Sequence, residues 1–237
     1  MLSRNAVVIQ TPTENAGQLI LLFHGVGSDA QSMTWLGGRL ASEFPNAMVV
    51  SVSAPLRSDI SMGFQWFSVV GVTEDNRPAR IAQAMPAFAA CVAYWQAKAG
   101  VTPAATALVG FSQGAVMILE ATKLATPLAG RVVAISGRFA TLPEVAPLAV
   151  TVHMLHGKED AVIPYSHTVI GAHRLRDLGS DVTAEVLPFI GHEIHPDLAE
   201  LVATKLTTHI PQHVWASAMA ANTEALAQTP APDRTNP

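Results

Sequence analysis

Gly110-Phe111-Ser112-Gln113-Gly114 sets a serine with glycine two positions before it and two after. A serine hydroxyl is a weak nucleophile at neutral pH. It needs a base within hydrogen-bond reach, and that base must be oriented by a third group. G-x-S-x-G is the pattern of a nucleophile elbow, a tight strand-to-helix turn that leaves no room for side chains at the two flanking positions. Alone, the pattern arises by chance in roughly one chain of this length in fifteen. Here a strand-like apolar run, 106–112, leads into it and a run apolar on every side, 113–125, leads away. A helix merely capped by Ser112 would require neither glycine.

Around such an elbow the partners follow in the order Ser, Asp or Glu, His, at the carboxyl ends of later strands. Glu159 and Asp160 follow the run 150–157, and His192 and His195 follow the run 182–190. Asp160 precedes an apolar turn ending at Pro164, so it can point back toward the strand ends, while Glu159 is expected in solvent. His192 directly follows Gly191, whereas His195 lies nearer the next helix. Asp160 and His192 are therefore the expected partners of Ser112, with Glu159 and His195 as alternatives. Acyl transfer also needs two N–H donors for an oxyanion. The Gln113 amide, next after the nucleophile, is one. The loop in "LLFHGVGSD" (21–29), with two glycines just past an apolar run, offers Val26 as the other. His24 in that loop reads as a hydrogen-bonded structural histidine. Phe64, Trp66 and Phe67 sit in a long aperiodic stretch, 53–76, and either line an acyl pocket or cover the core. Trp66 and Phe67 are the expected substrate contacts.

Rival chemistries lack their residues. "HMLH" (153–156) lies on a strand-like run, where residues three apart face opposite ways, and "HIPQH" (209–213) is interrupted by Pro211. No H-E-x-x-H, cysteine pair, P-loop or G-x-G-x-x-G occurs, so neither a metal nor a nucleotide cofactor is expected. The one cysteine, Cys91, excludes an internal disulfide and reads as a buried structural thiol. A net charge of −4, with no run of Lys or Arg, argues against nucleic-acid or anionic-membrane partners. The start lacks the basic end and apolar core of a signal peptide, and no run approaches a membrane span. A soluble, cytoplasmic protein without membrane insertion is expected. A homodimer is compatible with this sequence and not dictated by it.

The elements that must position these residues alternate along the chain. Seven short apolar runs, at 6–10, 19–25, 47–53, 106–112, 131–136, 150–157 and 182–190, are continuous rather than alternating, as in strands covered on both faces. Helical segments are expected at 30–44, 78–98, 113–125, 165–178 and 196–209, with Pro86 bending the second. This alternation predicts an α/β fold with a doubly wound, mostly parallel sheet and helices on both faces. With 49% apolar and 14% charged residues, the 237-residue chain supports one domain over 1–215. An Ala-, Thr- and Pro-rich stretch over 216–237 reads as a disordered tail.

With "LLFHGVGSD", "QWF", "GFSQGA", "HGKEDAVIP" and "GHEI" in this order, the chain resembles the phospholipase/carboxylesterase group of α/β hydrolases. That group includes acyl-protein thioesterases and bacterial esterases. The resemblance spans roughly 5–210 and implies hydrolysis of carboxylic esters or thioesters. It implies Ser112, Asp160 and His192 as the triad, with Val26 and Gln113 as oxyanion donors. Dienelactone hydrolases share the architecture but use cysteine where Ser112 stands. Two departures bear on substrate. The thioesterases usually show H-G-L-G-D where Val26 and Ser28 interrupt the pattern here, and W-F-D where this chain has Trp66-Phe67-Ser68. The segment 137–149 is too short for a helical lid domain, so an open site for soluble, short or medium acyl groups is expected. A catalytically silent binding protein, a peptidase and a transacylase are the competing readings.

Overall fold

The computed structural model describes residues 5–220 apart from 148 and 213. In chain order the elements are β1 (Ala6–Gln10), β2 (Gln18–Phe23), α1 (Thr34–Glu43), β3 (Ala47–Val52), β4 (Leu56–Arg57), β5 (Phe64–Gln65) and α2 (Arg77–Ala99). There follow β6 (Thr106–Phe111), α3 (Gln113–Ala121), β7 (Arg131–Ile135), β8 (Thr151–Gly157), α4 (Ser166–Asp177), β9 (Val182–Leu187) and α5 (Pro196–Thr208). One 7-stranded sheet runs β1-β3-β2-β6-β7-β8-β9, parallel throughout except where β1 meets β3. Only residues 11–17 join β1 to β2. That link is too short for the crossover a parallel strand needs, so the chain reverses and β1 lies antiparallel on the edge.

Alternate residues of each strand feed opposite faces. Leu19, Leu21 and Phe23 of β2 pack with α2, α3 and Leu175 of α4 on one side of the sheet. Ile20 and Leu22 pack with α1 and α5 on the other. The sheet is thus doubly wound, as its continuous apolar strands require. Among the described residues, no helix is long and apolar enough to cross a membrane.

Several element ends differ from the sequence reading. The helix expected from residue 30 starts as a 3-10 turn, Ala30–Met33, because the Asp29 side chain accepts the N–H groups of Gln31 and Ser32. The helix after Ser112 stops at Ala121 rather than 125, where three consecutive tight turns replace it and the Thr122 hydroxyl donates to Leu119 O at 2.7 Å. Pro86 lies inside α2, which continues unbroken to Ala99. The last strand ends at Leu187, and Phe189, read as part of it, takes a left-handed backbone with φ of 62°. Within the stretch 53–76, β4 and β5 pair as a small antiparallel hairpin. Residues 214–220, where the expected tail begins, are helical, in keeping with their alanines, and 221–237 lie outside the described residues.

Candidate active site

β6 carries the chain to Ser112, whose backbone (φ 52°, ψ −116°) turns sharply into α3. The two glycines make that turn feasible. A Cβ on Gly110 would sit 2.6 Å from the Gly114 carbonyl carbon, and one on Gly114 would sit 2.1 Å from Phe23 O. Strand and helix therefore cross with no side chain between them, and a non-glycine residue is left in a strained conformation at the crossing.

Two later strands bring the other groups to the same edge. Asp160 follows β8, and His192 follows β9 by way of Ile190 and Gly191. Gly157 allows those two loops to touch, since a Cβ there would lie 2.3 Å from Ile190 O. His192 Nδ1–H donates to Asp160 Oδ2 at 2.7 Å, and His192 Nε2 stands 2.8 Å from Ser112 Oγ. With Nδ1 protonated against a carboxylate, Nε2 is free to accept the serine proton. Phe111 flanks the imidazole, its ring centroid 5.0 Å from that of His192. Glu159, by contrast, is exposed, and His195 caps α5 by accepting the Asp197 N–H.

Burial alone would raise the Asp160 carboxyl. Hydrogen bonds from His192 and from the N–H groups of Ile163 and Val162 more than offset this and hold it below the ordinary carboxylate value. A neighbour the sequence reading assigned no role completes this shell. His156 is fully buried, and its Nε2–H donates to Ile163 O at 2.8 Å while lying 3.2 Å from Asp160 Oδ2. Its Nδ1 accepts from Thr168 Oγ1, and burial keeps the imidazole neutral by lowering its pKa.

Gly25 passes close to Ser112, with a Cβ there 3.1 Å from Ser112 Cβ, so the loop after β2 borders the site. Among the described residues no acceptor takes the N–H of Val26 or of Gln113. His24 is buried and its pKa is lowered by desolvation. Its Nδ1–H donates to Gly25 O at 2.7 Å and its Nε2 accepts the Ala54 N–H at 2.9 Å.

Trp66 and Phe67 are buried, at 3% and 5% exposure. The Trp66 indole packs edge-on against Phe23 and Phe88, yet it and Phe67 also wall a cavity of about 1050 Å³ with Phe88, Cys91 and Met117. The two sequence alternatives, core and pocket wall, are thus both features of these side chains. Ser112 and His192 are not in that lining. Sequence reasoning missed the Gln113 side chain. Its Oε1 accepts the Trp66 N–H at 2.8 Å and its Nε2–H donates to Phe67 O at 2.7 Å, so the residue after Ser112 grips the aromatic segment. Only its buried place at a helix start hinted at such a partner.

A family model described as Phospholipase/Carboxylesterase matches residues 4–210. The esterase YpfH of Escherichia coli (strain K12) is 46% identical over 212 residues, which is 90% of this chain and 91% of that protein. Acyl-protein thioesterase 1 of Gibberella zeae is 32% identical over 120 residues, 47% of this chain and 51% of that protein. Among solved structures, esterase PE8 superposes with a TM-score of 0.73 at 30% identity, covering 83% of this chain and 95% of that one.

Proposed function

We propose that this chain, which belongs to the phospholipase/carboxylesterase family and is a carboxylesterase-type hydrolase, acts as a serine esterase through a covalent acyl-enzyme. The hydrogen-bonded line from Asp160 through His192 to Ser112 carries this reading. Ser112 Oγ attacks the ester carbonyl carbon as its proton passes to His192 Nε2, and Asp160 holds the resulting imidazolium. The carbonyl oxygen, now negative, rests on the N–H groups of Val26 and Gln113. His192 then returns the proton to the leaving alcohol as the C–O bond breaks, and water repeats the cycle on the acyl-enzyme.

The acyl group rests against Trp66 and Phe67. The cavity they wall has neither Ser112 nor His192 in its lining, which argues against a deep acyl tunnel leading from Ser112. Short and medium acyl esters are therefore the proposed substrates. The described residues of 137–149 contain no helix that could form a lid, which favours an open entrance. Turnover of p-nitrophenyl esters from acetate to palmitate, with Ser112→Ala alongside, tests both statements. Activity and fluorophosphonate labelling should vanish in the variant while its melting temperature holds, and the chain-length profile should peak early. Labelling retained without Ser112 sinks the mechanism, and a maximum at palmitate sinks the pocket. A matched acyl-CoA series separates ester from thioester preference.

A further inference from the structure

Val26 and Gln113 follow different strands, β2 and β6, and two such donors stabilise one oxyanion only while their spacing is held. The segment 54–68 ties the two loops together at three places. First, the primary amide of Gln113 clasps the backbone of Trp66 and Phe67 with both of its ends. Second, the Trp66 indole N–H donates to His24 O at 2.9 Å, and the His24 ring in turn fixes Gly25 O and the Ala54 N–H. Third, the hairpin zips onto the loop after β2. Gly27 N–H donates to Phe64 O at 2.8 Å, Phe64 N–H to Ser28 O at 2.7 Å, and Ser61 Oγ–H to Gly27 O at 2.9 Å. Gly63 permits that contact, since a Cβ there would lie 2.3 Å from Gly27 O.

From this closed circuit we infer that the Gln113 side chain is a positioning residue, and that the β4–β5 hairpin and Trp66 form a brace setting the distance between the two oxyanion donors. The inference rests on the assignment of those donors above. One residue then plays two parts: its N–H faces the oxyanion, and its side chain anchors the brace. Replacing the amide leaves the Trp66 N–H and the Phe67 carbonyl buried without partners, so the segment must shift to satisfy them. The aromatic wall and the oxyanion hole move as one unit.

The test compares Gln113→Leu, Gln113→Glu and Trp66→Phe with the unaltered enzyme. Gln113→Glu keeps an acceptor for the Trp66 N–H and loses the donor to Phe67 O. Trp66→Phe keeps an aromatic ring among Phe23 and Phe88 and loses the link to His24. Two quantities are read: kcat and KM on p-nitrophenyl acetate, and the inhibition constant of butylboronic acid. In the boronate adduct, boron accepts an Ser112 Oγ electron pair, the serine proton goes to His192, and a tetrahedral anion forms. Gln113→Leu should lower kcat by about 10- to 100-fold with KM within about threefold, and should weaken boronate binding by a similar factor. The other two variants should show smaller losses of the same pattern, and they carry the test if Gln113→Leu does not fold. A folded Gln113→Leu with kcat within about twofold of the unaltered enzyme overturns the brace. So does a fall in kcat with boronate affinity intact, because the loss then lies outside the oxyanion. If Ser112→Ala retains turnover, the underlying mechanism fails. If Ser112→Ala is inactive and Gln113→Leu is unimpaired, only the brace fails.

Discussion

Replacing Asp160 by asparagine changes one atom and should disable the base. Asp160 Oδ1 accepts the N–H groups of Val162 and Ile163 at 2.9 and 2.8 Å, so the amide oxygen of Asp160→Asn must keep that place. Its NH2 is then forced toward His192 Nδ1, on the side where Oδ2 stood 2.7 Å away. Turning the amide over would set NH2 against two backbone N–H groups, so this choice is fixed. His192 Nδ1 now has to accept, which moves the imidazole proton to Nε2 and aims an N–H at Ser112 Oγ. The serine loses its proton acceptor, and any imidazolium loses its counter-charge. Turnover should fall by about 10⁴, equivalent to about 5.4 kcal/mol in the barrier. The new NH2 also faces the His156 N–H, which approaches Asp160 Oδ2 to 3.2 Å, so a lower melting temperature is expected as well. The assay is initial rates on p-nitrophenyl butyrate at a temperature where circular dichroism shows the variant folded, with Glu159→Gln as a control that should behave as the unaltered enzyme. Turnover of Asp160→Asn within about tenfold of that enzyme would refute the tautomer argument. A large loss in Glu159→Gln would move the third member of the triad to that residue.

Three further outcomes follow from the packing. Gly114→Ala would place a methyl 2.1 Å from Phe23 O, so α3 must lift off β2. Denaturant unfolding should show a loss of about 1–3 kcal/mol together with reduced kcat, and a silent substitution would contradict the tight crossing. Burial alone would raise the Asp181 carboxyl, but hydrogen bonds from the Gln212 N–H, Thr151 and His209 outweigh it and depress its pKa below 3.8. A depressed carboxyl contributes stability that is complete above the ordinary value and lost as pH falls through the folded one. Asp181→Asn should therefore destabilise at neutral pH by a margin that narrows as the medium is acidified below 3.8, and urea titrations giving a pH-independent margin would rule this out. Burial pushes the Cys91 thiol up to about 11, so a disulfide-exchange dye should leave the native protein unmodified and titrate one thiol after unfolding; rapid native labelling would refute the burial.

The alternation of apolar runs and helices was legible because strands buried on both faces are dominated by apolar residues, and that bias shows in any single stretch. The elbow was legible for a similar reason. Gly110 answers a local contact with the Gly114 backbone and Gly114 a distant one with Phe23 of β2, but both stand at fixed steps from Ser112, so the pattern shows in five residues. The direction of β1 was not, because Ala6–Gln10 has the composition of its parallel neighbours and its reversal follows from the brevity of the link to β2. The hairpin escaped for want of length, since two residues per strand produce no period. His156 and the Gln113 side chain act on partners reached through the fold, Asp160 in one case and Trp66 with Phe67 in the other. Their spacing in sequence holds no trace of that. The end of α3 turned on a single hydroxyl, Thr122, competing for a helix carbonyl.

The register of the sheet also says when in folding this site comes into being. Ser112, Asp160 and His192 hang from the ends of β6, β8 and β9, and their alignment depends on three successive parallel pairings, β6 with β7, β7 with β8 and β8 with β9. Ser112 and His192 lie 80 residues apart, so no local fragment can bring them together. A slip of one residue in any pairing would carry one of these three side chains about 3.3 Å along its strand, beyond hydrogen-bond reach. Because parallel pairings across such separations close slowly, recovery of esterase turnover after dilution from denaturant should trail the return of helical signal. Its appearance would time the docking of β9 against β8.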